Sequence, residues 1–187
     1  MQTRLPLTGQ EQLSGAGAGD GTLLDFWRWA FGDLRLNDVR GVFGEWLVAQ
    51  LLGMALPPRS SWDAYDLVTR KGIKIEVKTT AFIQAWRPDR PTKAPSFGGL
   101  CGRCWNPDTC LYADQPTYNA DLYVFCLQIE TDAARWDALD LAQWRFFLLT
   151  RDVIEQRGCK SLSLSALRTF ANEMTATEFQ AAANAFL

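Results

Sequence analysis

The chain contains no histidine in its 187 residues. That absence excludes Ser-His-Asp and Cys-His hydrolases, histidine-ligated zinc enzymes and nucleases built on a His-metal motif. Proton transfer or metal binding then falls to carboxylates, Lys, Tyr, Cys or the backbone. Long apolar runs are also missing. None approaches the roughly 20 residues of a membrane-spanning helix, so no membrane partner is expected. The start, Met1-Gln2-Thr3-Arg4-Leu5-Pro6, lacks the apolar stretch of a signal peptide, and the expectation is a cytoplasmic protein. Net charge is scarce, at −2, which does not advertise a nucleic-acid binder. With 48% hydrophobic and 21% charged residues, the composition is that of a folded globular chain, not a disordered or collagen-like one.

Five cysteines are an odd number in a chain without an export signal, so disulfides are not expected. Cys101, Cys104 and Cys110 cluster as C-x2-C-x5-C. A structural metal or iron–sulfur cluster there would want a fourth ligand that no histidine can supply, and the three read as incidental thiols. The eight Trp are abundant for this length and read first as packing residues.

Residues 1–21 are small and polar, closing on Ser14-Gly15-Ala16-Gly17-Ala18-Gly19-Asp20-Gly21, and read as a flexible tail. Residues 22–187 read as one α/β domain. Thr22 is placed to cap a short helix, Leu23 to Phe31, with Asp25 as an imperfect capping box. Asn37 is placed as the cap of a longer helix, Asp38 to Leu52, stopped by Gly53. Tyr65 to Thr69 reads as a strand, Arg70-Lys71-Gly72 as its turn, and Ile73 to Thr79 as a second strand with strict alternation. In such a hairpin Thr69 pairs with Ile73 and Asp66 with Glu76, which puts Asp66, Glu76 and Lys78 on one face. Residues 87–119 read as a long loop or a set of short irregular elements. Asp121 to Ile129 reads as a strand buried on both faces, Arg145 to Thr150 as a further strand and Arg151 to Gln156 as a helical turn. Ser161 to Ser165 reads as a short strand and Thr177 to Phe186 as a terminal helix. The sum is a central mixed β-sheet flanked by helices.

Charge is unevenly spread. From Arg59 to Lys93 there are eight basic and four acidic residues, a local +4 in a chain whose remainder carries −6. A basic face of this kind is compatible with phosphate contacts, and equally with a solvated hairpin. Trp86, Phe97, Trp105, Tyr112 and Tyr118 are interleaved with Arg87, Arg90, Lys93 and Arg103. Such interleaving can stack bases and grip phosphates, or cover a sheet edge, or form a dimer contact.

The hairpin carries the chemistry. Two carboxylates aimed at one side of neighbouring strands repel each other. A divalent cation resolves the repulsion, and oxygen ligands from Asp66, Glu76 and the backbone carbonyl of Val77 suit Mg²⁺ or Mn²⁺. Lys78, on the same face, can orient a water or stabilise charge on a phosphate in the transition state. Glu45 is the only charged residue between Arg40 and Arg59 and has small or apolar helical neighbours. If buried it needs a partner; the alternatives are an exposed glutamate or an ion pair with a nearby Arg.

A helical Glu45, then Asp66, then Glu76-Val77-Lys78 resembles the PD-(D/E)XK nuclease superfamily, with its restriction-endonuclease-like α/β core. The resemblance covers roughly residues 38–130, and Thr79 to Trp86 looks like the continuation in a group of uncharacterised bacterial members. It implies that Asp66 and Glu76 bind the metal and Lys78 serves the catalytic water. It also implies that Glu45 matches the acidic residue of the first core helix and that Gln84 is an accessory site residue. Tyr65, not the nominal proline, precedes Asp66, and Asp63 is a rival for the aspartate role. The implied function is a Mg²⁺-dependent nuclease acting on nucleic acid, DNA first, with a homodimer as one arrangement by which two sites reach two strands. The rivals are an inactive nucleic-acid-binding or assembly module of the same fold, and an interaction domain with a charged hairpin.

Overall fold

The short helix expected after the glycine-rich stretch forms as α1, Leu23–Phe31. Its capping box is complete: Thr22 accepts from the Asp25 N–H, and the Asp25 carboxylate accepts from the Thr22 N–H at 2.9 Å. The preceding segment folds back on this helix. Leu23 and Leu24 donate their N–H groups to the carbonyls of Glu11 and Gly9, and the Glu11 carboxylate gathers the amides of Thr8 and Gly9. The computed structural model describes residues 6–59 and 63–187, so the first five residues of the expected tail lie outside the described residues. The chain groups into two compact units, one ending at Leu34 and one spanning Arg35–Leu187.

The second unit begins with α2, Asn37–Leu51. Leu36, not Asn37, occupies its cap position. Asn37 is already helical, and its side-chain oxygen accepts from Arg40 Nη2 at 2.9 Å instead of capping the helix. Gly53 follows in the left-handed conformation, the geometry that ends helices.

The central sheet has four strands: β1 (Leu67–Val68), β2 (Lys74–Ala81), β6 (Leu122–Gln128) and β7 (Trp144–Thr150), in the order β1-β2-β6-β7. β2 and β6 run parallel, in register from Ile75↔Leu122 to Ala81↔Gln128, while β1–β2 and β6–β7 are antiparallel. The sheet is therefore mixed. Between β2 and β6 the chain forms three short strands, β3 (Ser96–Gly98), β4 (Trp105–Asn106) and β5 (Leu111–Tyr112). β4 pairs with β5, and β3 with β8 (Ser161–Ser163). β8 stops earlier than the sequence pattern suggests, because Ser163 accepts from the Ala166 N–H and caps a short helix, α4 (Leu164–Leu167). The remaining helices are α3 (Arg151–Arg157) and α5 (Ala176–Ala183), the latter capped by Thr175 and Glu178.

Every residue of β6 is buried, as its unbroken apolar run requires. On one face of the sheet, Phe43 of α2 meets Trp144 at 5.9 Å, and Phe146 stacks on Phe179 of α5 at 5.0 Å. On the other, Tyr123, Phe125, Phe147 and Leu149 pack into a cluster with Phe97, Leu100, Ile154 and Leu167. The architecture is a mixed sheet with helices on its flanks. Helix α2 approaches β2 closely at Gly44, where a Cβ would stand 2.0 Å from Thr79 Oγ1. Among the described residues no helix is long and apolar enough to cross a membrane.

Candidate active site

The two-fold alternation of β2 sorts its side chains. Ile75 and Val77 are buried in the core, while Glu76 and Lys78 point to the opposite face and keep partial exposure. Their neighbours across the parallel ladder are Tyr123 and Phe125. Glu76 Oε1 and Lys78 Nζ form an ion pair at 2.5 Å.

The hairpin keeps the expected register, with Leu67↔Ile75 and Val68↔Lys74 in the ladder and the Thr69 N–H donating to the Ile73 carbonyl. The ladder ends at Leu67, one step short of the expected Asp66–Glu76 pair, so Asp66 stands just outside it. Strand β1 is shorter than the five residues expected, because its hydrophobic stretch is short and the chain turns away at Asp66. The Asp66 N–H still donates to the Ile75 carbonyl at 3.0 Å, and its Oδ2 accepts from the Val77 N–H at 2.7 Å. The N–H and C=O of one strand residue leave on the same edge. The Val77 carbonyl therefore faces the edge that holds Asp66. The turn itself forms as expected, with Gly72 at φ +82°.

Glu45 lies on α2, and both its oxygens are held by Arg59, with Nε at 2.6 Å and Nη2 at 2.8 Å. Of the readings open from the sequence, the ion pair with a nearby arginine is the one the structure displays. Its charge still reaches the strand carboxylates. The Asp66 carboxyl is pushed up to about 7, first by burial, then by the charges of Glu76 and Glu45; the Val77 N–H and Lys78 oppose the shift. Glu76 also moves up, because burial outweighs the pull of Lys78. Burial and the nearby Glu76 raise the Tyr123 hydroxyl to about 12. The charge of Glu45 thus reaches both strand carboxylates across a desolvated region.

Asp66 and Glu76 open on a cleft of about 190 Å³ whose walls include Asp63, Gly99, Arg103 and Tyr123. Gly99, at φ +68°, brings backbone beside the Lys78 ammonium. A larger cleft of about 480 Å³ is lined by Glu45, Trp46, Arg59, Asp63 and Asp66, so Asp66 borders both. Asp63 reaches both clefts too, but Asp66 is the aspartate bonded to the backbone of β2.

Gln84 is elsewhere. Its Nε2 donates to the Ala81 carbonyl at 2.7 Å, its Oε1 accepts from Arg40 Nη2 at 3.0 Å, and it lines a cleft that shares no residue with the acidic one. The three clustered cysteines are free thiols; Cys104 Sγ donates to Asn119 Oδ1.

The donor set can be tested against a divalent cation. Among the described residues no three acidic or cysteine side chains form a metal-ligating group, and Glu45 is committed to Arg59. Mg²⁺, however, is commonly held by one or two carboxylates with water completing the shell. Two desolvated carboxylates, of which Glu76 raises Asp66, beside a backbone carbonyl on the same edge, fit that smaller requirement.

No protein-family model matches this chain, and no curated protein matches it.

Sequence reasoning passed over two residues here. Arg59 entered as the charge that ends the uncharged stretch after Glu45 and as the first of the basic residues, not as the partner of Glu45, and that stretch was its signal. Tyr123 was hidden inside an apolar run; only the parallel register places it beside Glu76.

Proposed function

We propose that the protein is a Mg²⁺- or Mn²⁺-dependent nuclease that hydrolyses phosphodiester bonds, acting on DNA as an endonuclease, on a restriction-endonuclease-like core. The observation that carries this reading is the shared burial of Asp66 and Glu76 next to Lys78, with Asp66 anchored on the backbone of the strand that bears the other two. Burying like charges is costly unless something compensates them. The order of helix, short strand and central strand, with α2 packed on β2 and β2 parallel to β6, supports the finer fold assignment.

In this reading Asp66, Glu76 and the Val77 carbonyl hold the ion. When bound, the ion polarises a phosphoryl oxygen and acidifies a coordinated water. The Val77 N–H keeps the Asp66 carboxylate in place, so that its free oxygen is oriented without further ordering. Lys78 exchanges its pairing with Glu76 for the attacking water and the phosphate oxygens, where its ammonium stabilises the charge that builds in the transition state. Arg59 neutralises Glu45 and so tempers the negative field on Asp66. No step calls for a histidine.

One feature favours the second reading, a catalytically inactive nucleic-acid-binding or assembly module of this fold. Lys78 and Glu76, and Arg59 and Glu45, already neutralise each other within the protein. Supercoiled plasmid and single-stranded DNA, incubated with Mg²⁺ or Mn²⁺ beside EDTA and Lys78→Ala controls, separate the two. Metal-dependent cutting lost in Lys78→Ala supports the nuclease. Without cutting, calorimetry separates what is left: Mg²⁺ binding points to a nuclease that needs a specific sequence or partner, and no Mg²⁺ binding moves the assignment to the binding module.

A further inference from the structure

The cleft lined by Gln84, Trp86, Arg87, Arg90, Thr92 and Lys93 lies beyond the end of β2 and belongs to none of the machinery above. Its floor is ordered by backbone bonds: the Arg87 N–H donates to the Gln84 carbonyl at 3.0 Å and the Thr92 N–H to the Phe82 carbonyl at 2.8 Å. Gln84 is held in place by Arg40, which is only 2% exposed and bonds to three neutral oxygens, those of Arg35, Asn37 and Gln84. A buried guanidinium that, among the described residues, has no carboxylate partner adds positive potential beneath this surface. Arg87, Arg90 and Lys93 are exposed, and among the described residues no salt bridge engages them. Trp86 is 71% exposed.

Tyr112 is also exposed, at 53%, but among the described residues only Trp86 lacks a partner for its ring. Of the five aromatics interleaved with basic residues, Phe97 is buried against Phe125, Trp105 packs edge-on with Tyr112 at 4.9 Å, and the Tyr118 hydroxyl donates to the Cys159 carbonyl. Trp86 alone has no such contact among the described residues, and it lines one cleft with three cations. We infer that this cleft binds a single-stranded stretch of nucleic acid, with an unpaired base stacked on Trp86 and phosphates held by Arg87, Arg90 and Lys93. Stacking on a lone exposed indole requires a base that is not already stacked within a duplex, and it tolerates any base. Ala81, whose carbonyl holds Gln84, ends β2 three residues past Lys78, about 10 Å at the usual strand rise. A strand seated here therefore lies within a few nucleotides of the acidic cleft. The inference rests on the nuclease reading for what becomes of that strand, but not for its binding.

Fluorescence anisotropy tests it on the full chain in EDTA, where no cutting occurs, using labelled 20-residue oligo(dT), oligo(U) and a hairpin duplex. Both single strands, or one of them, should bind more tightly than the duplex, the two arms telling DNA from RNA. Trp86→Ala should weaken the preferred strand roughly tenfold. Replacing Arg87, Arg90 and Lys93 together by Gln should lower the salt slope by about 2. Lys160→Gln, an exposed cation elsewhere, controls for lost charge alone. Equal affinity for the duplex, an unchanged Kd in Trp86→Ala, or a matching loss in Lys160→Gln overturns the inference. Failure of plasmid cleavage and of Mg²⁺ binding, with oligonucleotide binding intact, would strike the nuclease reading and spare this one.

Discussion

The two ends of β2 handle like charges in opposite ways. Toward its start, Asp66 and Glu76 are desolvated together, and burial shifts both carboxyls up. Past its end, Arg87, Arg90 and Lys93 stand in water around an exposed tryptophan. Buried like charges cost stability and so call for a compensating ion or proton. Exposed ones are screened within about 10 Å at moderate salt and cost little. The acidic cleft is thus informative through its electrostatics alone. The basic cleft becomes informative only when the absence of acidic partners is combined with Trp86 and the ordered floor beneath it.

The comparison can be broken at four points. Lys78→Ala should lower turnover by a factor of about 10²–10⁴ while circular dichroism stays native; a lost fold would instead mark Lys78 as the structural partner of Glu76. Arg40→Ala should cost about 2–4 kcal/mol in urea unfolding, because it removes three part-buried charge-assisted hydrogen bonds and the support of Gln84. An unchanged midpoint would show that the floor of the basic cleft needs no arginine. The third test is pH. In EDTA the folded Asp66 keeps its proton up to about 7, whereas the unfolded chain releases it near 3.8. The stability is present in full at pH values below 3.8 and is lost as pH rises through about 7. Urea midpoints at pH 4, 6 and 8 should fall in that order, and Asp66→Asn should flatten the decline. A midpoint that climbs across this range contradicts the buried repulsion. The smallest effect is at the other end: Lys93→Gln alone should reduce the salt slope for oligo(dT) by about 0.7, with stability unaltered.

Much of this was legible in the residues. The alternation of β2 and the unbroken apolar run of β6 each follow from side-chain periodicity, and α1 follows from Thr22 and Asp25. The asymmetry of Glu76 and Lys78 against Ile75 and Val77 was equally plain, since a strand has no other way to place them. What escaped were features in which a side chain chooses among partners. Asn37 could cap or bond Arg40, and it bonds Arg40. Ser163 could continue the strand onward or cap a helix, and it ends β8 by capping α4. Glu45 could be exposed, free or paired, and Arg59 takes it.

The sequence by itself determined the local elements and the faces of β2, because periodicity and turn chemistry act over a few residues. Tertiary structure alone decided that the β1–β2 ladder stops at Leu67 and that Asp66 hangs on the Val77 amide. It also separated Gln84 from the carboxylates and left Trp86, of the five interleaved aromatics, standing clear in solvent. These outcomes depend on which groups meet across long stretches of chain and on how much water remains around them. Neither quantity is written in local pattern; both are set when helix, strands and loops close over one another.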